Sequence, residues 1–291
     1  MANLQEIRGK IRTVQNLQKL TQAMEMVARS KIGKIMARME AARPFGAKVR
    51  IVASHMHHAH LEARSPYLEQ RIPRRVTLIL ITTDRGMCGG LNSRLYRQCL
   101  PQLREWQAQG IEVDVCPIGN QGLSLVRRLG LPLLASTVGL GDLPEMERLI
   151  GPLGVVLKAF REGRTDAVHL AYSRFASILV QKPVVEPLLP LTGERLGAPE
   201  GHWDYLYEPD PRTVVERMLQ RYLETLLWLA VAENMASEQA ARMMAMKSAS
   251  DNAKEAMNDL QHLYHRSRQE QITRELIEIV SGAAATGGLS A

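Results

Sequence analysis

After Pro211 the sequence runs for seventy residues, 212–281, without a proline or a glycine. A stretch so free of breakers predicts one helix of roughly 105 Å at ~1.5 Å per residue. Asp210 and Pro211 supply an N-cap and a first helical position. The interior of this helix is small and flexible, with Ala236, Ala240, Ala241, Met243, Met244, Met246, Ala249, Ala253 and Ala256. No aromatic residue falls between Trp228 and Tyr264. Small contact residues let a partner helix approach closely, which makes a slim rod.

A partner is available at the other end of the chain. Residues 3–43 lack proline, and their apolar residues recur in alternating steps of four and three: Ile7, Ile11, Val14, Thr21, Ala28, Ile32, Ile35, Met39 and Ala42. Gln18 and Glu25 are the polar breaks in this coiled-coil series. Pro44 is a candidate kink, but Val49, Ala53 and Met56 keep the phase. The segment is also basic. Residues 1–50 hold eleven Lys or Arg against three acids, a net +8 within a chain of net +7. That asymmetry points to an acidic partner, whether nucleic acid, an anionic membrane surface or a protein face, or else to a solvated helix face.

The middle of the chain has a different rhythm. Val76–Thr83 is a continuous apolar, β-branched run, as in a strand buried on both faces. Gly86, Gly89 and Gly90 follow, then a helix over about 92–109. Strands are predicted at Ile111–Ile118, Val168–Tyr172 and Ile178–Val185, with helices at Gln121–Leu129 and Pro144–Glu162. This alternation argues for an α/β layer with parallel strands. Residues 193–201 read as a loop.

A domain of ~130 residues has a radius of gyration near 14 Å and cannot bury a helix of ~105 Å. The two terminal helices must then bury their apolar stripes on each other. The expected fold is an antiparallel coiled coil of N- and C-terminal helices plus a central α/β domain with a mainly parallel sheet. The expected divisions are 1–60, 74–200 and 210–285, with the longer C-terminal helix extending past its partner.

Composition narrows the functional classes. No apolar run is long enough to span a membrane, and the polar start, Met1–Lys10, is no signal peptide; a cytoplasmic protein is expected. Cys88, Cys99 and Cys116 lack CxxC spacing and read as small buried residues, without disulfide, redox or metal chemistry. Gly86–Gly90 sits between a strand and a helix, where phosphates bind. It has no GxxxxGK[ST] pattern, and Asp84 would repel a phosphate, so it reads as a tight turn. Asp84 and Arg85 are expected in local pairing or against a neighbouring subunit. His57 and His60 have a helical spacing that suits a metal, but only Glu62 lies near, and His55–His60 reads as a polar helix end. A basic coiled-coil nucleic-acid binder is one alternative, weakened by 4% aromatic content and no known motif. A nucleotide-dependent α/β enzyme is another, lacking a nucleophile–base pair, a metal set or a P-loop. No cofactor, catalytic residue or metal is expected.

Five stretches, read together, resemble the gamma subunit of F-type ATP synthases nearly end to end. Ile7-Arg8, Ile11, Val14-Gln-Asn16, Gln18-Lys19 and Ala23–Ala28 are similar to that family's first helix. Thr82-Thr-Asp-Arg-Gly-Met-Cys-Gly-Gly-Leu-Asn92 resembles its central glycine loop. Trp203–Asp210 resembles the entry to its last helix, and Ala236–Met243 and Ile272–Ala284 the helix itself. Arg29 and Gly33 depart from the family pattern, and a glycine in mid-helix costs ~1 kcal/mol.

The resemblance implies a rotor. The coiled coil would stand inside a ring of alternating alpha and beta subunits, with the globular foot on the membrane-embedded c ring beside the epsilon subunit. Ion-driven rotation would turn the asymmetric shaft and force the beta subunits through different nucleotide affinities. The chain would be peripheral to the cytoplasmic side of the inner membrane, would bind no nucleic acid and would carry no chemistry itself. Contacts with the catalytic ring are implied for Arg8, Arg12, Lys19, Met24, Lys31, Arg268, Gln269 and Thr273. Trp203, Tyr205 and Tyr207 would meet the c ring or epsilon, or pack against the foot. Asp84, Arg85, Gly89 and Gly90 form the central loop motif. The nearly uncharged tip 277–285 would act as a bearing. Light-linked thiol control is not expected, because the cysteine-pair insertion of chloroplast members is missing.

Overall fold

The computed structural model describes residues 4–59, 65–143, 145–192, 197, 208 and 210–287. Its elements, in chain order, are α1 (Leu4–Ala59), β1 (Arg75–Ile81), α2 (Leu91–Ala108), β2 (Glu112–Ile118), α3 (Asn120–Leu129), α4 (Glu147–Arg161), β3 (Ala167–Phe175), β4 (Gln181–Leu189) and α5 (Pro211–Gly287).

The strands lie in the order β2-β1-β3-β4. β1 pairs in parallel with both β2 and β3, whereas β4 pairs antiparallel to β3. The sheet is therefore mainly parallel, as the alternation of strands and helices predicts. The antiparallel β4 is an edge strand, which is why Pro183 and Pro187, each without an N–H, are tolerated in it. The expected strand at 178–185 starts three residues later. The N–H groups of Ala176 and Ser177 donate to the carbonyl of Val180, so Ile178 and Leu179 occupy an exposed turn despite their β propensity. Beyond β2 the segment around Leu133–Thr137 adds two parallel bridges to its outer edge.

The two faces of the sheet bury different partners. Val76, Leu78 and Leu80 face Leu95, Cys99, Leu103 and Trp106 of α2 and Val126 of α3. Ile79 and Ile81, on the opposite pleat, join Leu153, Val156 and Phe160 of α4 in a core that also takes in Ile35, Met39, Val49 and Ala53 of α1. The same core holds Leu219, Leu223, Leu227 and Val231 of α5. The inner stretches of both terminal helices are thus buried by the α/β layer as well as by each other.

By compactness, Ala28–Arg242 forms one body, and residues 1–27 with 243–291 form another. Within the first body α1 runs through Pro44, which removes one helical hydrogen bond at a cost of ~3 kcal/mol. Burial of Met39 and Val49 on either side of the proline opposes that loss. In the second body α1 is buried or half-buried at Ile7, Ile11, Val14, Gln18, Thr21 and Glu25, the positions the heptad predicts. The complementary seam of α5 is Met246, Ser250, Ala253, Met257, Leu260, Tyr264 and Ser267, again in steps of four and three. The start of α5 is capped as expected, with the Thr213 N–H donating to Asp210 Oδ1 at 2.9 Å. That bond holds the Asp210 carboxyl below its ordinary pKa.

Candidate partner-binding surfaces and a filled crevice

In a doubly wound sheet a ligand binds beyond the carboxyl ends of the strands, where the winding reverses. Here that point lies between β1 and β3, and the chain itself fills it. The Ser173 N–H of β3 donates to Asn234 Oδ1 at 3.1 Å, and Ser237 Oγ donates to the Ser173 carbonyl at 2.9 Å. Asn234 and Ser237 are both buried and both belong to α5. Ala241 of the same helix packs on Cys88 and Leu91 of the glycine loop.

The glycine loop is likewise closed from within. Asn92 Nδ2 donates to Thr83 Oγ1 at 2.7 Å, and Thr83 Oγ1 donates to the Arg85 carbonyl at 2.8 Å. Met87 and Gly89 take positive φ, the turn conformation the glycine spacing suggests. Asp84 does not pair with Arg85. Its carboxylate accepts from the N–H groups of Asn120 at 3.0 Å, Gly139 at 3.1 Å and Leu140 at 2.8 Å. An internal carboxylate therefore sits where the amino end of α3 can bind an anion. Arg85 is exposed.

One glycine escaped the sequence reading. Gly119 has a φ of 105°, and a Cβ there would lie 2.4 Å from the Thr82 carbonyl oxygen. It lets β2 turn into α3 against Thr82, whose Oγ1 accepts from the Gly122 N–H at 2.8 Å. The available signal was a glycine between a strand and a helix, the arrangement already noted at Gly86–Gly90.

The expected ring-contact residues fall into three groups. Arg12 and Lys19 are exposed on α1, with Met24 half-buried. Arg8 is exposed, but its guanidinium donates to the Tyr264 hydroxyl from Nε at 3.0 Å and stacks on that ring. Lys31 is half-buried and places Nζ 2.5 Å from Asp142 Oδ1. Arg268, Gln269 and Thr273 are exposed on α5. Every residue from 268 to 282 is exposed, including Leu276, Ile277, Ile279 and Val280 at 56–67%. These apolar side chains fall along one side of the helix, and an exposed apolar stripe of this kind is a surface for another chain. Trp203, Tyr205, Tyr207 and His60 lie outside the described residues, as do the side chains of His57 and His58. His55 is buried. All three cysteines are buried, as the sequence suggests. Among the described residues no group of three His, Cys, Asp or Glu could hold a metal, and no helix is long and apolar enough to cross a membrane.

An α/β body with its crevice plugged by its own last helix, and a helix end bare on every side, together define a subunit of a larger assembly. The sequence profile of the ATP synthase family matches residues 3–286. The chain belongs to that family, among its gamma chains. It is 52% identical to the ATP synthase gamma chain of Aromatoleum aromaticum over 288 residues, covering 98% of this chain and 100% of that one. The gamma chain of Azoarcus sp. is 51% identical with the same coverage. Among solved structures, a chain of Euglena gracilis mitochondrial ATP synthase in rotational state 3 superposes with a TM-score of 0.67 at 20% identity, covering 99% of this chain and 96% of that one. A chain from the central stalk and c ring of Tetrahymena thermophila mitochondrial ATP synthase gives 0.58 at 23% identity, covering 79% and 99%.

Proposed function

We propose that this chain is the central-stalk rotor of an F-type ATP synthase and carries no catalytic chemistry of its own. It couples ion-driven rotation of the c ring to conformational change at the catalytic beta subunits, in synthesis or in ATP-driven pumping. The observation that carries this reading is the bare end of α5, where Leu276, Ile277, Ile279 and Val280 stay exposed. An asymmetric rod biases the beta subunits only by contacting them differently in each state. An apolar stripe can turn against a ring, while Arg268, Gln269 and Thr273 beside it offer directional hydrogen bonds to carboxylates.

Arg12, Lys19 and Met24 are the ring contacts on α1, with Arg8 reaching the ring from its place on Tyr264. Lys31 has a different task, developed below. Trp203, Tyr205 and Tyr207 serve the c ring and epsilon subunit. The chain lies on the cytoplasmic side of the inner membrane and is peripheral to that membrane. The filled crevice supports the absence of nucleotide chemistry, since Asp84 sets a carboxylate at the amino end of α3 and Asn234 and Ser237 of α5 close the end of the sheet on Ser173.

Purification through a tag on this chain is expected to recover the alpha and beta subunits. ATP hydrolysis by the isolated chain would sink the reading. Arg268→Ala with Gln269→Ala is expected to impair assembly or ion uptake per ATP more than Arg50→Ala does, and equal losses would remove the contact assignment.

A further inference from the structure

The compact body 28–242 ends at Ala28 on α1 and at Arg242 on α5. At each of these points the helix is gripped by a loop of the α/β layer. On α1, Lys31 Nζ meets Asp142 Oδ1 at 2.5 Å. On α5, Arg242 Nη2 donates to the Gly86 carbonyl at 3.1 Å and pairs with Glu238 at 2.7 Å, the two side chains being only 12% and 13% exposed. The two loops are themselves joined, because Asp84, two residues from Gly86, accepts from Gly139 and Leu140, just before Asp142. The same carboxylate accepts from Asn120 at the start of α3, which fixes it to the sheet.

We propose that the series Lys31–Asp142, Gly139/Leu140–Asp84 and Gly86–Arg242 is a collar that locks both helices against rolling within the α/β body. Asp84, Asp142 and Arg242 are then positioning residues for torque transfer, and Lys31 serves the collar instead of the ring. The inference rests on the rotor function above. Its physical basis is the small packing surface of α5 at this level. Between the Ser237 bond to β3 and Arg242, Ala236, Ala240 and Ala241 are buried and offer shallow steric keys, and apolar burial is non-directional. Polar contacts supply the direction. Rolling a helix by ~30° moves a group ~6 Å from its axis by ~3 Å, enough to break a hydrogen bond. An exposed ion pair such as Lys31–Asp142 adds little to stability by itself, so its loss is read in coupling and not in folding.

The test uses the whole ATP synthase in inverted membrane vesicles. ATP hydrolysis and ATP-driven ion uptake are measured together, uptake by quenching of a pH-sensitive dye or by sodium-22 where the wild type takes up sodium. Asp142→Lys is expected to keep hydrolysis and lower uptake per ATP by about threefold or more, and the exchange Lys31→Asp with Asp142→Lys to restore it to within about twofold. Asp84→Asn, which weakens the junction of the loops, is expected to lower the ratio as well. Asp142→Asn replaces the reversal if that variant does not assemble, and is held to the same ratio. An unchanged ratio in the Asp142 and Asp84 variants, or no restoration by the exchange, overturns the collar. A wild-type chain that fails to assemble with alpha and beta subunits overturns the rotor function instead.

Discussion

The side chain of Asn234 on the last helix accepts the main-chain N–H of Ser173 on β3, 61 residues away in sequence, at 3.1 Å. Ser173 stands at the carboxyl end of the sheet, where a doubly wound fold opens to a ligand. The last helix therefore closes the α/β layer at this point. Asn234→Ala leaves the buried Ser173 N–H without its acceptor. A loss of about 1–3 kcal/mol is expected, measured by urea unfolding of the purified chain. Asn234→Asp retains the acceptor oxygen but buries a carboxylate, and is expected to lose at least as much at neutral pH and less at acid pH.

Two glycines that look alike in sequence should behave differently. Gly119→Ala forces a Cβ to within 2.4 Å of the Thr82 oxygen at a φ of 105°, and is expected to cost more than about 2 kcal/mol. At Gly90 a Cβ meets nothing within 4 Å, so Gly90→Ala should cost only what alanine loses as the N-cap of α2, about 1 kcal/mol or less. Thermal melts of the two variants make the comparison.

Glu238 supplies a pH signature. Burial, chiefly, raises its pKa; Arg242 and Lys31 oppose the rise and Asp84 adds to it. A raised carboxyl binds its proton more tightly in the folded state. Its contribution is present below the unfolded value near 4.5 and is lost as pH climbs through the folded value. The stability difference between Glu238→Gln and the wild type should therefore shift in favour of the glutamine variant as pH rises above the unfolded value near 4.5. Melts across that rise in pH test the sign.

Burial pushes the thiols of Cys99 and Cys116 up to about 12. At pH 8 the thiolate fraction is then on the order of 10⁻⁴, so an aromatic disulfide reagent should label neither residue in the native chain. Both should react on addition of denaturant. Labelling of either under native conditions would contradict the burial.

What the amino-acid sequence determined by itself were the periodic features. The four-three spacing from Ile7 to Ala42 marks the seam of α1, because a helix repeats its face over a few residues and the pattern is local. The unbroken 212–281 marks α5, and β-branched runs between glycines mark the parallel strands, for the same reason. What only the tertiary structure decided were the contacts between distant segments. Lys31 looks like any solvated cation of a basic helix until Asp142, 111 residues on, is brought beside it. Asp84 looks like a group that repels phosphate until three N–H groups from two other segments converge on it. Gly119 needs its φ because Thr82 lies behind it, and Ile178 and Leu179 leave the strand because β4 reverses onto β3. Such choices depend on which main-chain groups meet after the chain closes, and no local spacing records them.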